Sequence, residues 1–144
     1  PPRSTLFPYT TLFRSPYSLH QTASWLLMLL SIVLVVLGIS TLKRDGAPDA
    51  QRDDASFYEF EKTTQLVSHG IFGYIRHPMY ASLLALAWGA FFQDPSLPGS
   101  VLVAIASLAF WLTATTDERE CLAYFGEEYA AYMRRTKRFI PFLL

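Results

Sequence analysis

Hydrophobic residues in this chain come in blocks, and the blocks differ in what interrupts them. From Pro16 to Leu42 there is no Asp, Glu, Lys or Arg. The centre of that stretch, WLLMLLSIVLVVLGISTL, is long enough for a transmembrane helix, which needs about 20 apolar residues. A secretory leader is the rival reading. It lacks a convincing small-residue cleavage site, and its basic residues follow the apolar run instead of preceding it. Lys43 to Lys62 is polar, with Gly46 and Pro48 stopping the helix. Residues 63–75, TTQLVSHGIFGYI, mix polar and apolar positions without a clean period and read as a loop or re-entrant segment.

Two more apolar blocks follow, Met79–Phe92 and Val101–Thr116, split by QDPSLPGS. Asp94, Pro95, Pro98 and Gly99 make that break a turn, so the pair reads as a helical hairpin. The first block alone reaches only ~21 Å at ~1.5 Å per residue, short of a ~30 Å hydrocarbon core. Beyond it, Leu122, Phe125, Tyr129, Tyr132 and Met133 recur at three- and four-residue spacing among charges. That pattern, in the tail from Asp117 onward, predicts one amphipathic helix or two short ones broken near Gly126, lying on the membrane face and ended by Pro141, with Tyr129 and Tyr132 at headgroup level. The expected fold is an all-α integral-membrane bundle with a short helical hairpin and a C-terminal amphipathic interfacial helix.

Composition agrees. The chain has 144 residues, 51% of them hydrophobic, and a mean hydropathy above zero. Formal net charge is zero, and no basic motif or zinc spacing points to nucleic acid. A single cysteine, Cys121, excludes an internal disulfide and a cysteine-rich metal site, and no metal is expected. Residues 1–15, PPRSTLFPYTTLFRS, have no periodicity and look like a translated sequencing adapter. They are taken as a non-native scar, with one membrane domain over residues 16–144, truncated at its N-terminal side.

Charge orients the spans. Lys43 and Arg44 follow the first, Arg76 precedes the hairpin, and Arg134, Arg135, Lys137 and Arg138 follow it, while the hairpin turn has no Lys or Arg. The basic flanks share one side, which the positive-inside rule makes cytoplasmic. That face collects Arg76, His77, Tyr80, Asp117, Glu118 and Glu120. An antiparallel hairpin brings its two ends together. Carboxylates there suit an ammonium or ribose hydroxyls, Arg and His suit a carboxylate, and aromatic faces attract a sulfonium. The plain alternative is a set of interfacial charges snorkelling to water.

The run LVSHGIFGYIRHPMY, then a hairpin, then DEREC-L-x-x-FG-EEY-x-x-Y and a basic stretch closing on RFIP resembles the isoprenylcysteine carboxyl methyltransferase family, which is related to the phospholipid methyltransferases. The resemblance covers residues 57 to 144. It implies a small integral-membrane methyltransferase that uses S-adenosylmethionine. Carried over, the cofactor-binding residues are Gln65, Leu66, Val67, Phe72, His77, Pro78, Met79, Tyr80, Asp117 and Glu118, with Glu118 and Arg76 as catalytic residues. Phe72 stands where relatives often have tyrosine. Where prenylcysteine-specific members place an arginine, this chain has LTATT, residues 112 to 116. The acceptor is therefore left as a lipophilic or lipidated carboxylate or amine, in a bacterial inner membrane with the site facing the cytoplasm. A non-enzymatic helical module and a membrane reductase are the other readings.

Overall fold

The computed structural model describes residues 18–45 and 65–144. The scar expected over residues 1–15, the domain start at residue 16 and nearly all of the polar segment after Lys43 lie outside the described residues. Four α-helices are described: α1 (Leu19–Asp45), α2 (Pro78–Gln93), α3 (Leu97–Phe125) and α4 (Glu127–Arg135), with a 3₁₀ turn at Gly70–Gly73. No strand occurs among the described residues, only a single parallel bridge between Ile75 and Lys137. The expected all-α membrane bundle is the observed class.

The helices are inside-out relative to a water-soluble bundle. α1 buries Gln21, Ser24, Ser31, Gly38 and Leu42. It exposes Leu26, Leu29, Ile32, Val33 and Val36, each more than two-fifths accessible. In water such a surface would be an aggregation liability; in hydrocarbon it faces lipid. Association then rests on close approach and interhelical hydrogen bonds, which small and polar residues supply. α2 answers with its own small face: Pro78, Ala81, Ser82, Ala85 and Gly89 are buried.

The two run antiparallel. The start of α1 meets the end of α2, where Ser24 Oγ donates to the Gly89 carbonyl at 2.7 Å and Gln21 Nε2 to Gln93 Oε1 at 3.0 Å. A Cβ on Gly89 would stand 3.1 Å from the Met28 side chain and 3.3 Å from the Ser24 carbonyl, so any larger residue makes its neighbours give way. At the other end Gly38 lies against Pro78 and Met79.

The hairpin turn is shorter than QDPSLPGS implies. Ser96 caps α3 by accepting from Gly99 N–H at 3.1 Å, and proline in the first turn suits helix entry. α2 has 16 residues, about 24 Å. Of the three expected spans, α1 and α3 are the two described helices long and apolar enough to cross a membrane unaided. α3 also corrects the sequence reading. Helix continues unbroken through DERECLAYF, so Asp117 to Phe125 belong to the hairpin and not to an interfacial tail. Nothing in that stretch breaks a helix, and its buried charge is paired. The break falls at Gly126, whose φ of 61° and ψ of −132° suit glycine. α4 follows, with Tyr129 and Tyr132 on its buried side.

Candidate functional site

Four stretches converge where α1 ends and α2 begins: the irregular 65–69 segment with its 3₁₀ turn, residues 76–80, the last turns of α3, and α4 with residues 136–139. Backbone bonds stitch two of them together. Arg76 N–H donates to the Lys137 carbonyl at 2.7 Å, His77 N–H to Arg138 at 3.1 Å, and Lys137 N–H to Tyr74 at 3.1 Å.

At the centre is Glu118, 3% exposed. Its Oε1 accepts from Arg76 Nε at 2.8 Å and Arg138 Nε at 3.1 Å, and its Oε2 from Arg138 Nη2 at 2.6 Å. His77 Nε2 stands 3.3 Å from Oε1. A buried carboxylate is tolerable only when paired and hydrogen-bonded, and here both oxygens are committed. Arg76 is committed as well. Its Nη1 donates to the carbonyls of Thr136 at 2.5 Å and Met133 at 3.2 Å, closing the C-terminal end of α4. Arg76 and Glu118 thus form a clamp between α2, α3 and the tail.

His77 occupies the cap position of α2 yet makes no side-chain cap bond. Its ring stacks on Tyr80, centroids 5.6 Å apart at 19°. Tyr80 in turn donates its hydroxyl to Asp117 Oδ2 at 2.6 Å. Imidazole and acidic pair therefore meet as the hairpin argument requires.

Beside them opens a hollow lined by Leu66, Val67, Phe72, Arg76, His77, Pro78, Met79, Tyr80 and Asp117. Its volume is about 110 Å³. Two expected residues lie elsewhere. Gln65 is exposed and outside the lining, and Glu118 sits behind the wall. Five further residues line it: Leu42, Cys121, Phe125, Tyr129 and Tyr132. Asp117, Cys121 and Phe125 recur every fourth residue, one face of a helix, and that spacing was the signal available in the sequence.

The two tyrosines correct an expectation. They pack inside the protein instead of facing headgroups: Tyr129 is 4% and Tyr132 2% exposed. Burial pushes both phenols well above their usual range, so they are neutral hydroxyls. Tyr132 donates to the Phe72 carbonyl at 2.7 Å. The Tyr129 hydroxyl has no hydrogen-bond partner among the described residues, and Tyr129 is part of the wall of the hollow. Buried polar groups are nearly always paired, so an orphan facing a cavity marks a place for a ligand or water.

Residues 19–128 match the family model described as phospholipid methyltransferase. The chain is also similar to the protein-S-isoprenylcysteine O-methyltransferase of Schizosaccharomyces pombe, 30% identical over 82 residues that cover 54% of this chain and 34% of that protein. It thus spans about a third of the length of the curated relative it matches. No solved structure matches.

Proposed function

The chain belongs to the phospholipid methyltransferase family, and from that premise we propose that it is an S-adenosylmethionine-dependent methyltransferase of the bacterial inner membrane, methylating a lipophilic acceptor at the cytoplasmic face. The observation that carries this reading is that Asp117 and Tyr129, whose hydroxyl has no hydrogen-bond partner among the described residues, line one aromatic-walled hollow. The donor set fits the cofactor. Asp117, held by Tyr80, suits an ammonium or ribose hydroxyls; Phe72, Tyr80 and Phe125 offer faces to an adenine or a sulfonium; Tyr129 has a hydroxyl to give. At about 110 Å³ the hollow is smaller than a whole nucleoside, so part of the cofactor would lie outside it.

When bound, the cofactor supplies an electrophilic methyl group on a sulfonium, with a neutral thioether as leaving group. The protein's task is then to align an acceptor oxygen or nitrogen in line, and orientation of that kind can contribute ~7–11 kcal/mol. Arg76 and Glu118 serve as positioning residues: the clamp fixes His77 and the start of α2 against α3. Glu118 is a poor base, because two guanidiniums occupy its oxygens. A carboxylate acceptor needs no base. An amine acceptor would have to give its proton to His77 or Asp117.

Isothermal titration of the detergent-purified protein with S-adenosylmethionine tests the reading. Saturable binding that weakens in Asp117→Asn is expected. Absence of binding by a folded protein overturns it, and competition by a nicotinamide dinucleotide would favour a reductase instead.

A further inference from the structure

The stretch after α4 turns back on itself as a hook. Phe139 and Ile140 N–H both donate to the Leu144 main-chain oxygen, at 2.7 and 2.8 Å, and Leu144 N–H donates to the Ile140 carbonyl at 3.1 Å. Pro141 stiffens the bend. Phe142 is held in it at a φ of 65°, the one non-glycine residue with positive φ among the described residues. A residue with a Cβ disfavours that region. Such strain persists only where the surroundings impose it, and it clusters at sites of use. Its effect here is display: Phe142 is 86% and Leu143 74% exposed. The Phe142 ring meets the exposed Tyr74 ring edge-on, centroids 6.3 Å apart at 71°.

Positive charge leads into the hook. Arg134, Arg135, Lys137 and Arg138 are close in sequence, and no acidic residue stands between Glu128 and Leu144. Arg134 is paired with Glu127 and Arg138 with Glu118. Arg135 and Lys137 are exposed and have no ion pair among the described residues. Lys137 N–H donates to the Tyr74 carbonyl, which sets this residue next to the aromatic pair. On its other side the hook continues the lipid-facing surface of the bundle. Ile140 and Leu144 share an apolar cleft with Leu30 and Leu34 of α1 and Trp111 of α3.

We infer that the hook and Tyr74 form an interfacial wedge that seats on anionic phospholipid. Phe142 and Leu143 enter the bilayer where headgroups meet acyl chains, and Arg135 and Lys137 hold the phosphates of acidic lipids beside them. Large apolar side chains displayed to water on a strained turn are a liability, and a bilayer removes it. Aromatic rings favour the headgroup boundary, and basic residues are drawn to an anionic leaflet. The role that helical spacing predicts for Tyr129 and Tyr132 thus falls to Tyr74 and Phe142. A second copy of the chain is the competing occupant. A symmetric contact through this patch would set like charges against each other, which favours lipid. The inference is independent of the methyltransferase reading.

The test is photo-crosslinking of the full chain in nanodiscs of equal phosphatidylcholine and phosphatidylglycerol. p-Benzoylphenylalanine replaces Phe142 and, in a separate sample, Leu108, which is exposed on the hydrocarbon-facing side of α3. Mass spectrometry of the adducts reads the headgroup. In place of Phe142 the probe should form lipid adducts that favour phosphatidylglycerol at least about fivefold, a difference of ~1 kcal/mol. In place of Leu108 it should form them without preference. Arg135→Gln combined with Lys137→Gln should keep the adducts and remove the preference. High salt, which screens exposed charge, should do the same and decides the matter if that double variant does not fold. The inference is overturned by a probe at Phe142 that gives no lipid adduct while Leu108 does, or gives a crosslinked dimer instead. A preference at Phe142 no greater than at Leu108 overturns it too, as does one that survives both the double variant and high salt.

Discussion

The two faces of α2 are built on opposite principles. Toward α1 it presents Ala81, Ala85 and Gly89, and the backbones come so close that even a single added methyl at Gly89 would press on its neighbours. Toward α3 the contact is made by long side chains: Trp88 to Ser107, Tyr80 to Asp117, and, from just before the helix, Arg76 to Glu118. Along its 29 residues α3 buries only Val103, Ala114 and Glu118. Close packing makes the α1–α2 pair a rigid scaffold, whereas spacing by long polar side chains leaves room on either side of the clamp. In a membrane this division is physically sensible, because lipid tails give no hydrophobic incentive for α3 to close the gap.

The comparison can be broken most severely at Glu118. Glu118→Ala leaves two guanidiniums buried beside no carboxylate and should cost about 3–5 kcal/mol. Thermal unfolding in detergent, followed by circular dichroism, should show a large drop in midpoint. Next comes the scaffold. Gly89→Leu forces α1 and α2 apart and should cost about 1–3 kcal/mol, with the cofactor hollow deformed only through the displaced Pro78 end. If Gly89→Leu were the more damaging of the two, the clamp would not be the principal tie of α3.

Tyr129→Phe sharpens the contrast between stability and use. Removing an unpaired buried hydroxyl should leave the melting midpoint unchanged or raise it by about 1 kcal/mol equivalent. Cofactor affinity by calorimetry should fall several-fold. The same variant should soften the alkaline limb of stability. Burial raises the folded-state pKa of Tyr129 and Tyr132. Their contribution is therefore full below about pH 10, where the unfolded phenols titrate, and declines as pH climbs toward the higher folded values. Ser107→Ala is the mildest test. Losing one interhelical hydrogen bond in a membrane should cost about 0.6 kcal/mol, seen as a small shift in the same melting assay.

Much of this arrangement was legible in the residues. Apolar runs without charge announced α1 and the hairpin, and Gly126 announced the last break. Antiparallel helices with a short turn were enough to bring His77 and Tyr80 to Asp117 and Glu118. What escaped was the partner of each buried polar group. Tyr129 and Tyr132 recur with helical spacing, and that spacing is the same whether the stripe meets headgroups or protein. Arg138 is 20 residues beyond Glu118, and only the reversal at Gly126 returns it.

The stitch between Tyr74–His77 and residues 137–138 has a consequence for biogenesis. Helices can enter the bilayer one after another as the ribosome delivers them, but this seam joins positions some sixty apart and waits for Arg138 to emerge. Contacts so distant along the chain form late. An intermediate halted after α3 would be fully inserted yet without a floor to its cofactor hollow. The floor of that hollow is therefore completed only after residues 137–138 have been made, well after the first spans have entered the membrane.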